Sequence, residues 1–270
     1  MVHPFVAVVT GASSGIGQAV AIEFARRGAS LILHCRKNLA GISKTISEIQ
    51  HVAETSIEIL TIVSDVRDLD SNRSFVDAAF ERFSYVDAWI HAAGADVLTG
   101  EARGRSFADK LALLWATDVH GTMLLSRMVA AKMLEQPPNP ARLPSMIHIG
   151  WDQAEHGMEG DSGQYFAATK AAVAAFSKSL AKSVAPRIRV NCIAPGWVQT
   201  EWGSQTSSEW HKRATGESML GRWGMPQDIA RVIASVSLGD CAFINGQTIS
   251  VNGGWQSMSL SVKSESKLND

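Results

Sequence analysis

The sequence predicts an α/β protein: one three-layer αβα domain built on a doubly wound parallel sheet of about seven strands. Three observations predict it. Short, near-continuously apolar runs alternate with longer amphipathic stretches along most of the chain. A glycine-rich turn joins the first run to the first amphipathic stretch. The 270 residues carry no internal repeat and no linker that would divide them.

The elements follow in order. Phe5–Thr10 is a buried strand of valines, and Gly15–Arg27 follows as an amphipathic helix. Leu31–Cys35 is the second strand. Leu39–Val52 is the next helix, with Ile42, Ile46 and Ile49 on one face. Ile57–Val63, Val86–His91, Ser145–Ile149, Ile188–Ile193 and Gln247–Val251 complete the strands. The proline-dense Gln136–Pro140 stops a helix before the fifth strand. Residues 1–260 form the domain, and the polar Ser261–Asp270 is a frayed tail.

Composition excludes several classes of function. Lys and Arg number 25 against 26 Asp and Glu, a net charge of −1, so nothing favours nucleic acid or an anionic membrane surface as partner. Cys35, Cys192 and Cys241 are odd in number and far apart, which supports neither a disulfide framework nor a metal site. The N-terminus lacks a signal-peptide pattern, and no apolar run reaches membrane-spanning length. A soluble cytoplasmic protein is expected.

Thr10-Gly11-Ala12-Ser13-Ser14-Gly15-Ile16-Gly17 leaves the first strand and opens the first helix. Glycines here allow a tight turn and close approach of backbone to a pyrophosphate, which the helix N-terminus attracts. Glycine-rich turns are common, but in this strand–turn–helix setting they mark a Rossmann-type dinucleotide site. An NAD site would place a carboxylate at the end of the second strand to bond the ribose 2′-OH. That stretch reads Leu33-His34-Cys35-Arg36-Lys37. With no acid present and Arg36 able to fork onto a 2′-phosphate, NADP(H) is the expected cofactor.

The chain resembles the short-chain dehydrogenase/reductase family over nearly its whole length, most closely the 3-oxoacyl-carrier-protein-reductase type. The resemblance rests on Gly11, Gly15 and Gly17; on Asp65-Val66; on His91-Ala92-Ala93-Gly94; on Pro195-Gly196 through Val198 and Thr200; and on Asn252-Gly253-Gly254. It implies cofactor contacts from Gly11, Ser13, Ser14, Ile16, Gly17, Arg36, Asp65, Val66, Ala92, Ala93, Gly94, Lys170, Pro195, Gly196, Val198 and Thr200. It also implies a homo-oligomer, tetramer or dimer, joined by the Asp118-bearing helix and the small-residue helix Ala167–Val184.

At the chemical end the pattern breaks. Reductases of this family carry Tyr-x-x-x-Lys, a preceding Ser and an Asn on another helix. The spacing of four puts phenol and ammonium on one helical face, where the ammonium brings the phenol nearer neutrality. Here Lys170-Ala171-Ala172-Val173 fixes the register and leaves Phe166 in the tyrosine position, with Tyr165 one residue early. Gly150-Trp151 replaces the serine pair, and Asp118 replaces the asparagine. Only Lys170 survives.

Two readings follow. In the first, the protein is an NADPH-dependent oxidoreductase reducing a small carbonyl substrate, with Lys170 electrostatic, Tyr165 the proton donor through an irregular helix start, and Asp118 positioning water. Asp152, His156 or Asp161 could also serve acid–base roles. In the second, it is a non-catalytic NADP-binding sensor or partner subunit. Trp151, Asp152, Phe166, Trp197 and Trp202 line the expected substrate pocket. Plainer roles compete: His148 as a core histidine, Asp152 as a turn or cap residue, Trp151 as filler, and the tryptophans of Val198–Glu217 as packing.

Overall fold

A computed structural model describes residues 4–139, 142–204 and 206–257. Pro140 and the predicted tail Ser261–Asp270 lie outside the described residues, as does the side chain of Trp202. The strands are β1 (Val6–Thr10), β2 (Ser30–Cys35), β3 (Ile59–Val63), β4 (Ala88–His91), β5 (Ser145–Ile149), β6 (Arg189–Pro195) and β7 (Thr248–Val251). They form one parallel sheet in the order β3-β2-β1-β4-β5-β6-β7. Each predicted strand is present, with ends moved by up to a few residues. The chain order reverses between β1 and β4, so the ligand crevice of such a fold opens at the carboxyl ends of these strands.

Ten helices cover the sheet among the described residues. They are α1 (Gly15–Arg26), α2 (Leu39–Val52), α3 (Leu69–Arg82), α4 (Phe107–Leu114), α5 (Thr122–Glu135), α6 (Gln153–His156), α7 (Gly160–Val184), α8 (Glu201–Ser204), α9 (Ser208–Glu217) and α10 (Pro226–Ser237). The period of two along each strand divides the core. Ala7, Val9, Leu31 and Leu33 pack with residues of α1, α2 and α10 on one face. Val6, Val8 and Ile32 pack with residues of α3, α5 and α7 on the other. Burial of both faces is why the strands read as continuous apolar runs. No helix among the described residues is long and apolar enough to cross a membrane.

Two departures from expectation bear on the site. Helix α7 begins at Gly160, seven residues ahead of the predicted Ala167, and runs unbroken through Tyr165 and Phe166. The segment between α4 and α5, Trp115–Gly121, is a π-helical turn. Such wide turns gather where a side chain must be re-aimed, and this one carries Asp118.

His148 is a core residue. Its Nε2 lies 2.9 Å from Ser126 Oγ, and His91 Nε2 approaches the same oxygen at 3.0 Å. Ser126 donates to the Thr122 carbonyl at 2.6 Å, so both imidazoles must donate to it. Ser177 Oγ then donates to His148 Nδ1 at 3.2 Å. Burial holds His148 down to about 3, and burial together with His148 lowers His91 well below the ordinary histidine value.

Candidate active site

The cofactor end takes shape around the β1–α1 turn. Gly11 adopts φ +66°, and a Cβ there would stand 2.8 Å from the Ala93 Cα. A Cβ on Gly17 would stand 2.3 Å from the Gly11 carbonyl oxygen, so the helix can close on the strand only with glycine at this position. Ser14 is the N-cap of α1, but its side chain makes no capping bond, and no acidic residue sits in the first turn. The first-turn N–H groups therefore face the crevice undiverted, beside Ser13 and Ile16, and suit a pyrophosphate. Thr10 Oγ1 accepts the Ala93 N–H at 3.0 Å and ties the Ala92-Ala93-Gly94 segment beside the turn. Val198 is buried, and Thr200 packs over Gly15.

His34 belongs to this end and sequence reasoning passed it over. Its Nε2 donates to the Ser64 carbonyl at 2.9 Å, while its Nδ1 faces the Gly11 N–H at 3.4 Å. Its ring stacks on Phe75. One imidazole thus joins β2, the end of β3 and the glycine turn. Burial lowers it to about 4, so it remains neutral. The available signal was a polar residue within the otherwise apolar Leu31–Cys35.

Arg36 and Lys37 are exposed at the end of β2 with no carboxylate in that stretch. Asp65 pairs with Arg67 at 2.5 Å; hydrogen bonding to Arg67 holds its carboxyl below the usual range, and Arg36 adds to this. Val66 is buried behind it. These residues fit the adenosine half of a 2′-phosphorylated dinucleotide.

Lys170 Nζ donates to Asp118 Oδ1 at 3.0 Å and to the Ile149 carbonyl at 3.3 Å. Asp118 Oδ2 accepts the Ala95 N–H at 2.8 Å. The carboxylate is almost fully buried, and the ammonium is 16% exposed. The expected water-positioning Asp118 is therefore a direct ion-pair partner of the surviving lysine. The π-helical turn aims it between the Gly94–Ala95 segment and α7.

Tyr165 is 2% exposed, in an apolar cluster with Val97, Ala102 and Leu114. Its ring packs on Phe107 and Phe166. Burial and the Asp161 carboxylate raise its phenol above the ordinary value. The irregular helix start that would move Tyr165 into register is not found, because α7 is regular there. Phe166 occupies the position four before Lys170, and Trp151 meets it edge-to-face at 6.2 Å between ring centres. The two positions that the resemblance matches to hydroxyl-bearing residues are thus a contacting aromatic pair.

Beyond β5, Gly150 N donates to the Ile193 carbonyl at 2.7 Å and Asp152 N to the Pro195 carbonyl at 3.1 Å, so Trp151 and Asp152 run alongside Pro195-Gly196. Asp152 caps α6 through the Gln153 N–H, and its Oδ2 accepts Asn252 Nδ2 at 3.0 Å. Burial raises its carboxyl above the usual value. Glu217 at the end of α9 accepts from Gln153 Nε2, the Trp197 indole and Arg213 at 2.7–2.8 Å. Arg213 reaches on to Glu159 and lies over the rings of Trp197 and Trp210. The Trp197 ring packs against both Trp210 and Trp223. His156 stacks on Trp255, closing the C-terminal segment over α6. No group of His, Cys, Asp and Glu that could hold a metal ion occurs among the described residues.

The chain matches the family described as enoyl-(acyl carrier protein) reductase over residues 11–256. It is 30% identical over 262 residues to a cyclohexanol dehydrogenase from a Rhodococcus species, covering 92% of this chain and 95% of that one. It is 28% identical to a 3-oxoacyl-[acyl-carrier-protein] reductase from Thermotoga maritima, covering 92% and 96%. Among solved structures, a variant actinorhodin polyketide ketoreductase with NADPH superposes with a TM-score of 0.79 at 25% identity, covering 93% and 96%.

Proposed function

This chain belongs to the short-chain dehydrogenase/reductase family, and on that premise we propose that it is an NADP(H)-dependent oxidoreductase reducing a small carbonyl substrate through an atypical site. The observation that carries the proposal is Lys170, held by Asp118 and the Ile149 carbonyl at the carboxyl end of the sheet beside the Gly94–Ala95 segment. A nicotinamide bound there supplies a hydride to a carbonyl carbon or takes one from a carbinol carbon. The β1–α1 turn would hold its pyrophosphate, and Arg36 the 2′-phosphate. The ketoreductase relative solved with NADPH supports this choice of cofactor. Lys170 would bond the ribose and hand a solvent proton to the developing alkoxide, with Asp118 holding the ammonium in place. The burial of Tyr165 among apolar side chains supports a packing role for it over proton donation.

A binding-only reading is favoured by one observation, the Trp151–Phe166 contact where the hydroxyls would stand. NADPH oxidation with a panel of ketones, diketones and β-ketoacyl thioesters, run beside Lys170→Ala and Tyr165→Phe, separates the readings. Turnover lost with Lys170→Ala and kept with Tyr165→Phe supports the proposal. Turnover lost with Tyr165→Phe returns the acid to Tyr165. NADPH binding without turnover in any sample supports the binder.

The proposal extends to a cytoplasmic homo-oligomer, dimer or tetramer. Supporting it, Trp115 on the π-helical turn is 48% exposed, and Ala168, Ala171 and Ala175 are exposed along α7.

A further inference from the structure

Two of the ionic groups near the chemical end of the crevice are ion-paired cations. Lys170 is neutralised by Asp118, and Arg213 by Glu159 and Glu217. Asp152 is 4% exposed, and its two bonds come from neutral donors, the Asn252 amide and the Gln153 N–H. No lysine or arginine among the described residues pairs with it. His156 and Glu217 act on it in opposite senses. A buried carboxyl without a cation is costly unless something supplies the charge. It lies against Gly196, where a Cβ would stand 3.2 Å from Oδ2. Its neighbour Trp151 and the facing Phe166 are both half-buried and meet edge-to-face.

Two deficits thus coincide. The site has no hydroxyl at the two positions that would polarise and protonate a neutral carbonyl, and it holds a carboxyl with no cation. We propose that the substrate class this site is built to take is a cationic carbon–nitrogen double bond, a cyclic iminium, with Asp152 and the aromatic pair Trp151–Phe166 as its recognition elements. The step balances without an acid. A carbon–hydrogen bond forms at the iminium carbon from a hydride, the π pair becomes the nitrogen lone pair, and the positive charge is discharged. A reduced nicotinamide held there would be the two-electron source, its ring C–H bond breaking as the new bond forms, and no proton is consumed. Carboxylate and aromatic faces attract the cation and release the neutral amine. The inference rests on the proposed hydride transfer in this crevice and refines only the acceptor.

The test uses two probes of like shape, N-methyl-dihydroisoquinolinium, which is permanently charged, and α-tetralone, which is neutral. Binding is measured by titration calorimetry with NADP⁺ present, so no turnover is needed. NADPH consumption and amine formation are followed separately. The expected results are iminium affinity at least about tenfold above tetralone and faster reduction of the iminium. Asp152→Asn should remove about tenfold of iminium affinity while leaving that for tetralone in place. Trp151→Leu should weaken the iminium by more than it weakens tetralone, and serves if Asp152→Asn fails to fold. Equal affinity for the two probes overturns the proposal. So does an Asp152→Asn variant that slows tetralone reduction but keeps iminium affinity, since Asp152 is then an acid. Ketone turnover with no iminium turnover overturns the inference and leaves the oxidoreductase reading standing. Failure to bind NADP⁺ or NADPH overturns both.

Discussion

Restoring a hydroxyl at position 166 is the sharpest perturbation of the site. Phe166 and Lys170 are four residues apart on a regular helix, separated by about 6 Å of rise and about 40° of rotation, so the two side chains share a face. A phenol there ordinarily titrates near about 10 and needs an ammonium within reach to come down by ~1–3 units. Here the ammonium is engaged by Asp118 at 3.0 Å, which cancels much of that field. Phe166→Tyr alone should therefore raise ketone reduction by only about 10²-fold, the low end for a placed acid. Adding Asp118→Asn frees the ammonium and should bring the gain toward ~10⁴-fold, about 5 kcal/mol of barrier. Trp151→Ser, which removes the facing ring, should help at either stage. The assay is NADPH absorbance with the ketone panel, alongside NADPH affinity and melting temperature. A folded, NADPH-binding Phe166→Tyr/Asp118→Asn protein no faster than wild type would refute the reasoning about register.

Other consequences are open to measurement. Lys170→Met leaves the Asp118 carboxylate buried and unpaired, and should lower unfolding free energy by about 3 kcal/mol; adding Asp118→Asn should recover most of it in a double-mutant cycle by urea titration. Arg36→Glu should cost NADPH about tenfold or more in affinity and leave NADH unchanged or improved, read by competitive titration; equal loss for both cofactors would count against the 2′-phosphate role. His34, His91 and His148 are held neutral in the folded chain and protonate near 6.5 when unfolded. The unfolded state therefore binds more protons below that value. Stability should be full above pH 6.5 and fall as pH drops toward 4 and 3, by up to about 1.4 kcal/mol per unit per group. A urea midpoint equal at pH 7.5 and pH 5 would contradict it.

The sheet was legible because strands covered on both faces leave uninterrupted apolar runs, and because the glycines of the first turn answer a packing demand. The Gly17 Cβ clash with the Gly11 carbonyl is that demand in atomic form. Lys170 and its following alanines set the register by which the resemblance assigns Asp118, Trp151 and Phe166 to catalytic positions. What escaped notice depends on contacts between segments far apart in the chain. His34 looks like a polar interruption of a strand until Ser64 and the Gly11 turn meet it. Glu217 reads as the end of a surface helix until Gln153, Trp197 and Arg213 converge on it. The π-helical turn has no local signature in Trp115–Gly121, because its widening follows from where Asp118 must reach.

The altered positions also explain one another. An ammonium near a reactive phenol must be left uncompensated to lower the phenol, and an aspartate beside it would oppose that use. Once position 166 carries a phenyl ring, the constraint reverses. A lysine 16% exposed, with no phenol beside it to lower, is better held by a carboxylate than by an amide. Asp118 is then the companion of Phe166 and need not be read as separate decay. Trp151 follows the same logic, since a ring edge-on to Phe166 fills space where a serine would face no phenol. Asp152 does not fit this pattern of mutual satisfaction, because its acceptors meet only neutral donors. The buried Asp152 carboxyl beside the Trp151–Phe166 pair, more than the missing hydroxyls, is what points to a substrate that brings its own positive charge.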